Sequence, residues 1–181
     1  NKNYFNPFVS HMPLYASELE HLKEWLPEIA QTLSQMRAHS GFSVSLKGHN
    51  DLVTTADLWS ENKLIELINN QYPNDVIWAE ETHHKPLDLA GRIWIIDPID
   101  GTTNFAHGFA PYCISVALWK DGQVVVGMVY EMAHHQCFYA VKQQGAFLNG
   151  KALSIGNARD PKEPLIATGF PYTEFHHLEH F

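Results

Sequence analysis

Basic residues are scarce in this chain of 181 residues, where 12 Lys and Arg stand against 20 Asp and Glu for a formal net charge of −8. Nucleic-acid binding rests on neutralising phosphates with Lys and Arg, and no basic run interleaved with aromatics occurs, so no nucleic-acid partner is expected. Cysteine is nearly absent as well: Cys113 and Cys137 stand alone without C-x-x-C spacing, which excludes a disulfide framework. There is no N-x-S/T glycosylation acceptor. No stretch approaches the roughly 18 consecutive apolar residues of a membrane-spanning helix; the longest apolar runs, such as 124–130, are strand-sized. These absences predict a soluble, cytoplasmic protein with no membrane partner. Repeats, low-complexity segments and Gly/Ser- or Pro-rich linkers are missing too, so 1–181 reads as one continuous unit.

What is present is core material. Hydrophobic residues make up 45% and charged ones 18%, which excludes general disorder. From Ser17 to Met36 the residues Leu19, Leu22, Leu26, Ile29, Leu33 and Met36 recur at spacings of three and four, one face of a helix, with Pro27 expected to kink it or mark a fresh start. A polar loop is expected over 40–55, carrying Lys47. Asp57 then reads as the N-cap of a second amphipathic helix through Leu58, Leu64, Ile65 and Ile68, stopped by the turn Tyr72-Pro73-Asn74-Asp75.

The middle of the chain turns β-prone. Val76–Ala79 and Arg92–Ile96 are short strand-like runs that deliver carboxylates at their C-terminal ends, Glu80-Glu81 after the first, Asp97 and Asp100 after the second. Cys113–Trp119, Val124–Glu131 and Gln136–Val141 read as an antiparallel meander turning at Asp121-Gly122, followed by a hairpin turning at Asn149-Gly150. Two helices followed by a run of strands predict an α+β or layered α/β fold.

The chemistry concentrates in residues 94–107. Pro98 pushes Asp97 towards an extended conformation, so the strand is expected to end at Asp97 and turn at once, bringing Asp97 and Asp100 together. Two carboxylates with exposed carbonyls between them supply the hard oxygen ligands Mg²⁺ prefers. Gly101, Thr102 and Thr103 open a short helix whose N–H groups attract phosphate. Asp-Pro-Ile-Asp-Gly alone would be an ordinary turn. The preceding aliphatic strand and the second acidic strand end at Glu80 favour a metal site beside a phosphate site.

The string Ile96-Asp97-Pro98-Ile99-Asp100-Gly101-Thr102-Thr103-Asn104-Phe105 resembles the signature of the inositol monophosphatase family, the Mg²⁺-dependent, lithium-sensitive phosphatases. Asp51–Asp57, Trp78–Thr82 and Gly145–Gly150 agree with the same family in order and approximate spacing, and the likeness runs from about Leu19 to Tyr172. Thr103-Asn104 resembles the inositol phosphatases within the wider superfamily. The resemblance implies a layered αβαβα sugar-phosphatase-like fold, and a site in which Glu80, Asp97 and the Ile99 carbonyl hold one Mg²⁺. Asp97 would bridge to a second cation shared with Asp100. Asp100, Gly101, Thr102 and Thr103 would meet the substrate, and Thr102, supported by Glu80 and Asp57, would position and deprotonate the attacking water. Lys47 would lie in a loop closing over the metals.

The implied activity is hydrolysis of inositol 1-phosphate or a similar small phosphate monoester by metal-activated water, in a homodimer. The same chemistry on histidinol phosphate or a sugar phosphate is one alternative. A shortened, non-catalytic metal-binding or interaction protein is another, because the family's C-terminal α/β portion, with the Trp-Asp motif that completes the second metal site, is expected to be missing from this sequence. Glu81 is expected as a surface group or one supporting the ligands rather than a ligand itself, the paired histidines at 83–84, 134–135 and 176–177 as surface or loop residues rather than zinc ligands, and Cys113 as a small buried hydrophobe.

Overall fold

The computed structural model describes residues 14–39, 41–48, 51–82 and 90–154. Helix α1 spans Ala16–Ala38 without interruption, with Pro27 inside it, so the proline starts no new helix. The missing proline N–H removes one helical hydrogen bond. Burial of Leu22, Leu26, Ile29 and Leu33 along one stripe outweighs that loss, since packing supplies most helix stability.

The segment expected as a polar loop instead contains an antiparallel pair, β1 (Val44–Gly48) and β2 (Asp51–Thr54). Its base is tied by Thr55 N–H donating to the Ser43 carbonyl and by Ser43 N–H donating to Thr55 Oγ1, both at 3.0 Å. Lys47 falls on β1.

Helix α2 runs Thr55–Gln71, and its N-cap is Thr54 rather than Asp57. Asp57 is the third helical residue and closes a capping box: Thr54 N–H donates to Asp57 Oδ2 at 2.8 Å while Thr54 Oγ1 accepts from the Ala56 and Asp57 amides. The expected apolar face is only partly right. Leu64 and Ile68 are buried, but Leu58 is 40% exposed, and the inward stripe includes Asp57, Ser60 and Glu61.

Seven further strands form one sheet in the order β3 (Val76–Ala79), β4 (Arg92–Asp100), β5 (Cys113–Lys120), β6 (Gln123–Glu131), β7 (Gln136–Val141), β8 (Gly145–Leu148) and β9 (Lys151–Ala152). The β3–β4 pair is parallel and the others antiparallel. The expected turns hold: Asp121-Gly122 and Asn149-Gly150 both place their residues at positive φ, as two-residue hairpins of this twist require. Along β4 and β5 burial alternates with the pleat. Ile96, Ile114, Val116 and Leu118 join Met128 and the apolar stripes of α1 and α2 in the core, whereas Ile95, Ser115 and Ala117 on the opposite face are half-buried.

Candidate active site

Strand β4 does not stop at Asp97. It pairs with β5 at Asp97↔Ser115 and again at Asp100↔Cys113, with a register shift between them, so Pro98 and Ile99 sit in a bulge. A bulge tolerates the missing proline N–H, which is why the strand continues where a turn is expected from sequence. Asp97 and Asp100 therefore flank a kink in an edge of continuous pairing. Gly101 follows at φ 87° and opens the short helix α3 (Thr102–His107). A Cβ there would stand 3.3 Å from the Pro111 carbonyl oxygen and 3.5 Å from Tyr112 Cα, so only glycine suits both the angle and the space.

Parallel pairing of β3 with β4 brings Glu80 beside this kink, its N–H donating to the Ile96 carbonyl at 3.1 Å. A hollow of about 260 Å³ is lined by Trp78, Glu80, Ile95, Asp97, Ser115 and Ala117 on the half-buried face of the sheet. A hollow of about 310 Å³ continues along that face over Gly127, Val129, Phe138 and Ala140, but its lining carries no ionisable side chain apart from the Tyr139 phenol.

The electrostatics of the first hollow are unusual. Burial, then the negative charges of Glu80 and Asp100, then a proton shared with Glu80 push the Asp97 carboxyl up to about 8. Asp97 Oδ1 is buried with no hydrogen-bond partner among the described residues. Across the sheet, Cys113 Sγ lies 3.6 Å from Asp100 Oδ2, and burial together with that carboxylate pushes the thiol up to about 12.

Helix α2 closes the site from behind. The Thr102 hydroxyl lies 2.9 Å from Asp57 Oδ1 and 3.0 Å from the Ile99 carbonyl, so its hydrogen is held between two acceptors. Asp57 is fully buried. Ser60 Oγ donates to the Pro98 carbonyl at 3.1 Å, and Glu61 Oε2 accepts from the Glu81 amide at 2.7 Å. Sequence reading missed Ser60 and Glu61. Their signal was the spacing of three and four from Asp57, which places all three on one helical stripe.

The donor chemistry suits a hard divalent cation: carboxylates at Glu80, Asp97 and Asp100, the Ile99 carbonyl, and an orphaned oxygen on Asp97 that a cation would satisfy. Among the described residues, no group of three or more His, Cys, Asp or Glu is gathered closely enough to hold a metal ion. Gly101 and Thr103 lie at the start of α3 as expected. Glu81, expected as a surface group or one supporting the ligands, is half-buried, and Glu80 is the exposed member of the pair. The chain leaves strand geometry at Ala79, so the alternation that would oppose the two side chains no longer applies. Cys113 is half-buried rather than buried. His134 sits in a turn with Nδ1 2.9 Å from Glu131 Oε2. The pairs at 83–84 and 176–177, and the family-like stretch 169–172, lie outside the described residues.

A mixed sheet backed by a helix pair defines a layered α/β protein. The inositol monophosphatase family model matches residues 16–180, and the chain belongs to that family. It is 38% identical over 133 residues to the Nus factor SuhB of Pasteurella multocida, covering 72% of this chain and 49% of that protein. To an inositol monophosphatase of Dictyostelium discoideum it is 37% identical over 131 residues, covering 71% and 48%. Among solved structures, the extragenic suppressor protein suhB of Bartonella henselae superposes with a TM-score of 0.73 at 28% identity, covering 80% of this chain and 56% of that one. An IMPase/NADP phosphatase complexed with Mg²⁺ and phosphate superposes at 0.69 and 28% identity, covering 75% and 52%. The chain thus spans about half the length of the relatives it matches.

Proposed function

We propose that this chain carries the metal-binding part of an Mg²⁺-dependent phosphomonoesterase acting on inositol 1-phosphate or a similar small phosphate monoester. The observation that carries the reading is the buried, partnerless Asp97 oxygen beside Glu80 and Asp100, a like-charge arrangement that a divalent cation would relieve. Relatives named inositol monophosphatase, and a structural neighbour solved with Mg²⁺ and phosphate, support it.

Glu80, Asp97, the Ile99 carbonyl and Asp100 would hold the cations. Bound divalent cations supply charge neutralisation for phosphate oxygens and a lowered pKa for water. Asp57 accepts the Thr102 hydroxyl hydrogen, which leaves the Thr102 oxygen free to accept a hydrogen bond from an incoming water, and a proton taken from that water would end on the Asp57 carboxylate as the hydroxyl passes its own hydrogen on. Gly101, Thr102 and Thr103 bring main-chain donors to a phosphate that Asp100 flanks. The reading treats 1–181 as one metal-binding α+β unit, acting as a cytoplasmic homodimer, on the strength of the family resemblance.

The test is phosphate release from inositol 1-phosphate with and without Mg²⁺, by the chain and by Asp97→Asn. Mg²⁺-dependent release that Asp97→Asn abolishes supports the proposal, and equal rates in the two overturn it. Release from histidinol phosphate or a sugar phosphate alone would reassign the substrate. Relatives named Nus factor support a second reading as a non-catalytic metal-binding or interaction protein. Cation binding without phosphate release would select it.

A further inference from the structure

Helix α2 reaches three separate segments of the candidate site with three residues of one stripe: Asp57 to Thr102, Ser60 to the Pro98 carbonyl, and Glu61 to the Glu81 amide. We propose that Glu61 is a positioning residue, whose carboxylate fixes the turn after β3 and so sets where Glu80 presents its own carboxylate to a cation. The inference deepens the phosphatase reading and rests on its cation site.

Glutamate is almost never fully buried without a specific partner, yet Glu61 has no exposed surface. Its partner is a main-chain N–H at 2.7 Å, the short end of the N–H···O hydrogen-bond range. The adjacent amide, that of Glu80, is held by the Ile96 carbonyl at 3.1 Å. Consecutive amides are therefore pinned to two different elements, one to β4 and one to α2, which leaves the Glu80 main chain little freedom to swing. Ser60 and Asp57 fix the Asp97–Thr102 side of the cluster from the same helix, so α2 sets the separation between the two acidic strand ends. Glu61 Oε1 has no hydrogen-bond partner among the described residues, so the bond through Oε2 is what the side chain contributes there. Reach rather than charge is then the property that matters.

Two substitutions separate reach from charge. Glu61→Gln keeps the length and the acceptor oxygen but removes the charge, whereas Glu61→Asp keeps the charge and falls about 1.5 Å short. Hydrogen exchange at the Glu81 amide is measured in the metal-free full chain, and Mn²⁺ affinity by electron paramagnetic resonance. Glu61→Gln is expected to retain Glu81 protection and to bind Mn²⁺ within about twofold of wild type. Glu61→Asp is expected to lose about tenfold in both, equivalent to about 1.4 kcal/mol. If Glu61→Gln loses as much as Glu61→Asp, or Glu61→Asp retains Glu81 protection, the proposal is overturned. Should Glu61→Asp fail to melt cooperatively, Glu61→Gln decides alone: protection retained supports positioning, and protection lost overturns it. Wild-type chain that binds no Mn²⁺ would refute the cation site, while Glu81 exchange still decides the role of Glu61.

Discussion

Asp57 and Thr102 are 45 residues apart in sequence, and their side chains meet at 2.9 Å between Asp57 Oδ1 and Thr102 Oγ1. The same carboxylate holds the first turn of α2 through Thr54, so one buried group joins a helix start to the start of α3.

Removing Asp57 should therefore show in two readouts. Asp57→Ala is expected to lose about 1–2 kcal/mol of stability from the broken capping box. Phosphate release should fall about 100-fold in Asp57→Ala and in Thr102→Ala, and by little more in the double variant, because the two act as a unit. Steady-state kinetics on the four proteins, with thermal melts as control, measures this; fully additive losses would contradict the coupling.

The second prediction concerns pH. Asp97 ionises near 3.8 when unperturbed and at about 8 in the fold, so between those values the folded chain holds a proton that the unfolded chain has lost. Its stabilising contribution is complete below about pH 3.8 and is lost as pH rises through about 8. Metal-free protein should thus lose stability over that window, and Asp97→Asn should flatten the loss. Mg²⁺ must displace the proton, so the Mg²⁺-induced rise in Tm should be larger at about pH 8 than at about pH 6. Calorimetric scans across pH, with and without Mg²⁺, give the answer.

Arg92 links β4 to both α1 and the turn after α2. It meets both Asp75 carboxylate oxygens through Nε at 3.0 Å and Glu18 Oε1 through a terminal nitrogen at 3.0 Å. Burial pushes the Glu18 carboxyl upward, but its own backbone amide, the Ser17 hydroxyl and Arg92 outweigh that and hold it below the usual range. That contribution is present above about pH 4.5 and disappears as pH falls through the lowered value. Arg92→Ala should cost about 2–3 kcal/mol near neutrality, less than a fully buried pair because Arg92 is partly exposed. It should also flatten the acid limb of the stability profile; Arg92→Lys should recover only part, lacking the fork geometry. Urea titrations at neutral and acidic pH measure both.

Gly101 and Gly122 form a matched pair for a backbone test. Both have positive φ, 87° and 89°, but a Cβ at Gly101 would press on the Pro111 carbonyl, whereas nothing lies within 4 Å of one at Gly122. Gly122→Ala should cost about 1 kcal/mol from the dihedral alone. Gly101→Ala should cost more than that and displace Thr102, lowering phosphate release as well. Equal stability losses in denaturant titrations, with unchanged turnover, would count against the close-approach argument.

The repeat of leucines that marks α1, the meander β5–β7 and the two positive-φ hairpin turns were legible in sequence because each depends on residues within a few positions of one another. The hairpin at 44–54 was not: β1 and β2 are short, and their pairing is secured by Ser43 and Thr55, which flank them. The run of β4 through Pro98 was hidden for a related reason. Local chemistry at Asp-Pro favours a turn, and continued pairing with β5 overrides it.

By itself, then, the sequence determined the family, the order of most elements and the acidic residues of interest: local periodicity marks the two strands that carry Glu80, Asp97 and Asp100 at or near their C-terminal ends. Tertiary structure alone decided what those residues experience. The elevated Asp97, the Asp57 bond to Thr102 and the Glu61 bond to an amide 20 residues away depend on burial and on distances between segments remote in the chain. Local pattern carries neither quantity, because both arise only when α2 packs behind the β3 and β4 strand ends.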